Sequence, residues 1–210
     1  MVLELHTWEA DKIVGILTAF KWDTLQTMFG CAHNSIIGFL STMWINLAKD
    51  NSVLDGVPSP IIGAGRSGQR NADILLCKAD KPFIVVEVET NVSKYPQKLE
   101  SIRNYISSKY FGGLQFGLLI MSNLCTGDKK YKHNWEDIKE KVGRGHDSIA
   151  LVSIEKENQR KKKQKIPPEE SVLDKLKRRN GYYPWQIVNI DYWVYTKGDI
   201  KKQGDLVSRN

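Results

Sequence analysis

The chain has 210 residues and a mass of 24.0 kDa, with 41% hydrophobic and 26% charged residues. These values are typical of a soluble globular protein of one domain, or of one domain with a substantial appendage, and they exclude collagen-like, mucin-like and wholly disordered chains. The formal net charge is +7, of which residues 155–210 carry +6. This asymmetry favours a polyanionic partner, nucleic acid first, although a solvated surface also explains a charge run.

The cysteines and the N-terminus indicate a compartment. The three cysteines are far apart and form no CxxC pair, which argues against a disulfide framework and a zinc ribbon. The chain begins without the basic and apolar regions of a signal peptide, and no run of 18 apolar residues could span a membrane. The sequence therefore predicts reduced thiols, a cytoplasmic location and no membrane partner.

The first half of the chain is predicted to contain two helices and a hairpin. Apolar residues at helical spacing predict helices at residues 8–29 and 34–49. Residues 50–68 are rich in glycine and proline, which predicts a loop. Two short apolar runs, at residues 72–77 and 83–88, predict an antiparallel hairpin with a five-residue polar connection.

Helices and strands alternate in the second half of the chain. The predicted helices are residues 95–110, 136–141 and 167–179, and the predicted strands are residues 114–122, 148–154 and 187–195, with a charged loop at 155–166 and a polar tail after 195. Strands that alternate with helices pair in parallel. The sequence therefore predicts an α/β fold with a mixed central β-sheet flanked by helices.

Acidic residues at the end of the second hairpin strand are the most informative feature. Side chains alternate along a strand, so Glu87 and Glu89 share one face and lie about 7 Å apart. If Cys77 pairs with Phe83, Asp73 lies directly opposite Glu87. Carboxylates so placed repel one another unless a hard cation such as Mg²⁺ or Mn²⁺ bridges them. The alternative is a hairpin end that projects its acids into water.

Three short motifs resemble the PD-(D/E)XK nuclease superfamily. They are Asn71-Ala72-Asp73-Ile74-Leu75, Ile84-Val85-Val86-Glu87-Val88-Glu89, and a helix that carries Gln97-Lys98-Leu99 and Tyr105. The predicted element order also resembles the αβββαβ core of that family, the restriction-endonuclease-like fold, over about residues 34–154. The resemblance implies a nuclease-like core with N-terminal helices in residues 1–154 and a basic extension, residues 155–210, packed on the same domain.

The resemblance also implies a metal site. Asp73 and Glu87 fall on the metal-binding acids of the family. Glu89 stands where the family usually has Lys, and it would orient the attacking water or hold a second ion. An acid from an N-terminal helix joins the site in several members, and Glu9 is the one candidate here. The implied cofactor is Mg²⁺ or Mn²⁺, which lowers the pKa of bound water and neutralises phosphoryl charge.

A lysine from the following helix replaces the missing one in some members of the family. Lys94 and Lys98 are both available for that role, and Lys98 would act as an electrostatic stabiliser. Gln97 belongs to the same helix motif. The resemblance therefore adds Gln97 and Lys98 to the catalytic residues, although loss of activity is a further possibility.

Other polar residues are candidates for nucleic-acid binding. The segment at residues 63–68 matches GxGxxG, but it precedes a strand rather than a helix, which excludes a dinucleotide site. The predicted phosphate contacts are Arg66, Gln69, Arg70, Lys161, Lys162, Lys163 and Lys165. Flexible or disordered loops are the alternative for both groups. The four histidines have no ligand spacing and are predicted to be surface or capping residues.

These features together predict a metal-dependent endonuclease that hydrolyses phosphodiester bonds of DNA. The alternative is a catalytically inactive member of the same fold that binds nucleic acid or another protein. A third possibility is a structural or interaction protein whose acidic hairpin is only surface. The sequence leaves a homodimer open.

Overall fold

The computed structural model describes residues 3–27, 33–56, 71–112, 114–125, 129–145, 147–158, 185–196 and 199–206. The α-helices of these ranges are α1 (Leu3–Ala19), α2 (His33–Leu47), α3 (Tyr95–Ser107) and α4 (Lys129–Gly143). The strands are β1 (Asn51–Asp55), β2 (Ile74–Lys78), β3 (Lys81–Glu89), β4 (Phe116–Cys125), β5 (Ile149–Asn158), β6 (Trp185–Thr196) and β7 (Asp199–Asp205). Among these helices, none is long and apolar enough to cross a membrane.

All seven strands form one sheet in chain order, from β1 at one edge to β7 at the other. Strands β1 to β3 are antiparallel, β3 to β5 are parallel, and β5 to β7 are antiparallel. Helices α3 and α4 make the two parallel crossovers, because parallel neighbours need a long connection. The predicted mixed α/β sheet flanked by helices is confirmed.

Each face of the sheet carries its own apolar core. Helices α1 and α2 pack on one face, α2 against β1 to β3 and α1 mainly against β6 and β7, over a core that includes Val86 and Val88. Helices α3 and α4 pack on the other face, against Val85, Leu119 and Leu151. Because both faces are buried, the central strands are apolar at nearly every position instead of alternating with polar residues.

The β2–β3 hairpin keeps the predicted register at its acidic end. Ile74 pairs with Val86, and the same register continued by one residue sets Asp73 across from Glu87. Alternation along β3 then directs Glu87 to the α3 face, while its neighbour Val88 joins the opposite core. The register is strongly specified because a slip of one residue would exchange the two faces.

The other end of the hairpin differs from the prediction. Cys77 pairs with Pro82 rather than Phe83, after a β-bulge that precedes Cys77. A two-residue turn at Ala79 and Asp80, with φ of 48° and 58°, replaces the five-residue connection. Positive φ at both central residues is the type I′ turn, whose twist matches that of the flanking strands.

Several predicted boundaries are wrong. Strand β1 lies in the stretch predicted as a loop, β7 lies in the predicted polar tail, and β5 continues through Asn158 into the predicted charged loop. The first helix ends at Ala19 and is followed by a separate 3-10 helix, Trp22–Thr27. The second helix and α3 are close to their predicted bounds. The predicted helix at residues 167–179 lies outside the described residues.

Candidate active site

Three elements bring their charged side chains together at one end of the sheet. Asp73 directly precedes β2, Glu87 lies near the end of β3, and Lys98 lies in the first turns of α3. The Lys98 Nζ is 2.6 Å from Glu87 Oε2, and 3.1 and 3.0 Å from Asp73 Oδ1 and Oδ2. One ammonium group therefore bridges the two carboxylates that were predicted to share a metal ion.

The Glu87 carboxylate is buried, with 1% of the residue exposed. Ser101 donates a hydrogen bond of 2.5 Å from Oγ to Glu87 Oε1, so each carboxylate oxygen has a donor. Burial nevertheless raises the pKa of Glu87 from 4.5 to about 7; Lys98 and Ser101 oppose the rise and Asp73 adds to it. The site therefore has less positive charge than its two carboxylates require.

Asp73 is held by the neighbouring strand and by the start of α2. The backbone N–H of Val88 donates to Asp73 Oδ2 at 2.7 Å, which ties the aspartate across the hairpin. His33 Nε2 lies 3.1 Å from Asp73 Oδ1, and His33 Nδ1 lies 3.1 Å from Asn34 Oδ1. His33 was predicted to be only a surface or capping residue, and the sequence contains no spacing signal for its contact with Asp73.

Glu89 is buried, and its carboxylate accepts hydrogen bonds from the backbone. Its Oε1 accepts hydrogen bonds from the N–H groups of Thr90 and Asn91, at 2.8 and 2.7 Å. The Asn91 side chain in turn accepts from the N–H of Ser93 at 3.0 Å. Glu89 therefore stabilises the turn that connects β3 to α3.

Helix α3 presents its polar residues to the site because of its helical period. Lys98 and Ser101 are three residues apart and so lie on one face, where both reach Glu87. Tyr105 is buried and accepts a hydrogen bond at its hydroxyl from the N–H of Ala72, at 2.9 Å. This bond fixes the start of β2, and with it Asp73, against α3. Gln97 is exposed beside Lys98.

A polar cavity of about 380 Å³ opens beside these groups. It is lined by His33, Asn71, Glu87, Glu89, Lys94, Gln97, Lys98 and Ser101. The predicted residues Glu87, Glu89, Gln97 and Lys98 therefore face one opening, which His33 and Ser101 share.

The carboxylates of Asp73 and Glu87 are oxygen ligands of the kind that a hard divalent cation takes. In the part of the chain that the structure describes, no three His, Cys, Asp or Glu side chains are arranged to hold a metal ion. However, Mg²⁺ commonly takes only one or two protein carboxylates and completes its shell with water and substrate phosphate. Asp73 and Glu87 provide such a pair, and the raised pKa of Glu87 means that added positive charge would be favourable there.

The other predicted site residues cannot be placed beside this cavity. Arg66, Gln69, Arg70, Lys161, Lys162, Lys163 and Lys165 lie outside the described residues. Glu9 belongs to α1, which packs mainly against β6 and β7 rather than against the acidic hairpin.

Comparisons with known proteins identify no relative. No protein-family model, curated protein or solved structure matches this chain. The functional argument therefore rests on the chemistry and geometry of the site.

Proposed function

We propose that this protein is a metal-dependent endonuclease that hydrolyses phosphodiester bonds of DNA with Mg²⁺ or Mn²⁺, and that it acts in the cytoplasm. The observation that carries the proposal is the convergence of Asp73, Glu87 and Lys98 from three elements at one end of the sheet. Two carboxylates and a lysine are the residue types that metal-assisted phosphodiester hydrolysis needs.

The element order supports a restriction-endonuclease-like core. From His33 to Cys125 the main elements are α2, β1, β2, β3, α3 and β4, which is the order αβββαβ. The first three strands are antiparallel, and the fourth joins β3 in parallel through α3. Strand β1, which the sequence did not predict, supplies the first strand of that series.

Each polar group would have a distinct role in this reaction. Asp73 and Glu87 would hold the metal ion, which supplies a water of lowered pKa and neutralises charge on the phosphoryl oxygens. Lys98 contacts both acids and would offset the negative charge that develops on the phosphate. Ser101 and the N–H of Val88 keep the two carboxylates in position. Gln97 and Glu89 line the same opening.

One observation favours a second candidate, an inactive protein of the same fold that binds nucleic acid. Glu89 replaces the lysine usual in the family, and its Oε1 is bound to two backbone N–H groups. Lys98 already bridges Asp73 and Glu87 without a metal ion. Such a protein would bind DNA in EDTA and would cleave nothing.

A cleavage assay separates the two candidates. Supercoiled plasmid and single- and double-stranded oligonucleotides are incubated with Mg²⁺, Mn²⁺ or EDTA. We expect cleavage only with metal, and a loss on the order of a hundredfold or more in Asp73→Asn and Glu87→Gln. The matched control is Asp80→Asn, at the turn end of the same hairpin, which should cleave like wild type. Metal-independent DNA binding without cleavage would establish the second candidate instead.

A further inference from the structure

A second cavity, of about 680 Å³, lies between the outer side of α4 and strands β6 and β7. Its volume is within the range of sites that bind small molecules. It is lined by Glu136, Lys139, Glu140, Gly143, Arg144, Gly145, Trp193, Tyr195, Ile200 and Gln203. None of these residues belongs to the acidic site.

A buried hydroxyl in the cavity wall lacks a partner. Tyr195 is 2% exposed, and its hydroxyl makes no hydrogen bond with any part of the chain that is described. Burial and the nearby Glu136 raise its pKa to about 12, so the hydroxyl keeps its proton and can donate. A buried donor that has no acceptor destabilises the folded protein. A ligand whose acceptor atom takes this hydrogen bond would remove that cost.

The rest of the lining favours a planar and uncharged group. Trp193 is half-buried, and its ring packs edge-on against Trp135 with Lys139 Nζ 5.5 Å from its centroid. The charges of the lining are balanced, because Lys139 pairs with Glu136 at 2.7 Å and Arg144 pairs with Glu140. A lone phosphate or a cation would find no net opposite charge here, whereas an aromatic ring could pack against Trp193.

We propose that this cavity binds a nucleobase, with Tyr195 donating to a carbonyl or ring nitrogen of the base and Trp193 packing against its ring. Nucleobases are planar and neutral and carry such acceptors. Stacking of a base on an aromatic side chain is the usual means of holding single-stranded nucleic acid. The base belongs either to a free nucleotide or to an unstacked position in a strand.

The cavity and the acidic site open on the same face of the sheet. One row of paired residues crosses four neighbouring strands through Glu87, Leu119, Leu151 and Trp193. Leu119, Leu151 and Trp193 all pack in the core beneath α3 and α4, the face to which Glu87 also points. Three strand spacings separate the ends of this row by about 14 Å. A strand bound at the acidic site would have to cross over α3 and α4 to place another base in the cavity, a step that rests on the proposed nuclease function.

Calorimetric titration of the full chain with the four deoxynucleoside monophosphates in EDTA tests the proposal without any cleavage. We expect binding of the nucleotides, binding at least about tenfold weaker for 2-deoxyribose 5-phosphate, and a loss of roughly three- to tenfold in Tyr195→Phe. The Asp80→Asn variant, at the turn of the β2–β3 hairpin, should bind like wild type. Equal binding of the sugar phosphate, no nucleotide binding, or full binding by Tyr195→Phe would overturn the proposal.

A second pair of variants keeps the test valid if Tyr195→Phe does not fold. Ile200→Arg places a long side chain at the mouth of the cavity, because Ile200 is an exposed residue of β7 that lines it. Ile45→Arg, on α2, is the control. The two isoleucines are equally exposed, at 51%. Only Ile200→Arg should abolish binding, and equal effects of the two substitutions would contradict the assignment of the cavity.

A competing (dT)10 strand then identifies the source of the base. Displacement of the nucleotide supports a base in a strand, and no displacement supports a free nucleotide.

Discussion

Lys98 and Glu87 form a salt bridge of 2.6 Å between Nζ and Oε2, and the carboxylate is almost fully buried. The same ammonium contacts Asp73, so the protein carries an internal cation between its two converging acids. A charge buried beside opposite charges is strongly destabilising when its partner is lost. Lys98 is therefore expected to contribute to stability as well as to the proposed hydrolysis.

The first prediction concerns the removal of that cation. Lys98→Met should lower the free energy of unfolding by roughly 2–4 kcal/mol at pH 8, because two carboxylates then share a poorly solvated site. The loss should be smaller at pH 5, where Glu87 can hold a proton. Urea unfolding in EDTA measures both values. Lys94→Met, at an exposed position of the same cavity, is the control and should change stability little.

The same prediction can be tested by a double-mutant cycle. Replacing Glu87 with Gln in the Lys98→Met protein removes one of the unpaired charges, so the combined loss should be smaller than the sum of the two single losses. Additive losses would show that the 2.6 Å contact between Lys98 and Glu87 contributes nothing to stability.

The second prediction follows from the pKa of Glu87, which burial raises from 4.5 to about 7. Below pH 4.5 both the folded and the unfolded chain bind this proton, and between about 4.5 and 7 only the folded chain does. The stability that the group contributes is therefore present at low pH and lost as the pH rises through about 7. We expect wild type to lose stability relative to Glu87→Gln over this window, measured by unfolding in EDTA. A constant difference would contradict the raised pKa.

The third prediction concerns Glu89. A Lys at this position would restore the residue usual in the resembled family, but it would remove the acceptor for the N–H groups of Thr90 and Asn91. Glu89→Lys should therefore destabilise the fold by about 1–3 kcal/mol, because two backbone donors lose their partner. Glu89→Gln keeps a carbonyl oxygen and should lose less. Melting curves of the two variants measure the difference, and equal melting temperatures would show that the turn does not depend on this carboxylate.

The sequence correctly predicted the positions of the acids that follow from the alternation of side chains along a β-strand. Pairing Cys77 with Phe83 gives the register that sets Asp73 across from Glu87, and Ile74 pairs with Val86 in that same register although Cys77 itself pairs with Pro82. The turn end could not be predicted in the same way. A bulge before Cys77 shifts the pairing by one residue there, and such an irregularity has no signal in the apolar pattern.

The parts that the sequence did not predict depend on tertiary contacts. All seven residues of β7 are exposed at the sheet edge, so its sequence carries no alternating apolar pattern. The contact between His33 and Asp73 joins residues that are 40 positions apart through the start of a helix. No local spacing rule covers a contact of that kind, and only the packed fold brings the two side chains together.

The last prediction concerns the lysines at 161, 162, 163 and 165, which lie outside the described residues. If they bind DNA phosphates, affinity should fall steeply with salt, because each neutralised phosphate releases counterions. Five phosphate contacts would give a log–log slope of about −4 to −5 on duplex DNA. Replacing all four lysines with Gln should make this slope shallower and weaken binding similarly for every sequence, whereas cleavage at saturating DNA should change little. Fluorescence anisotropy at several salt concentrations in EDTA gives the slope. An unchanged slope in the quadruple variant would assign the phosphate contacts to other residues, and the first turn of α4, with Lys129, Lys130 and Lys132, would be the next to replace.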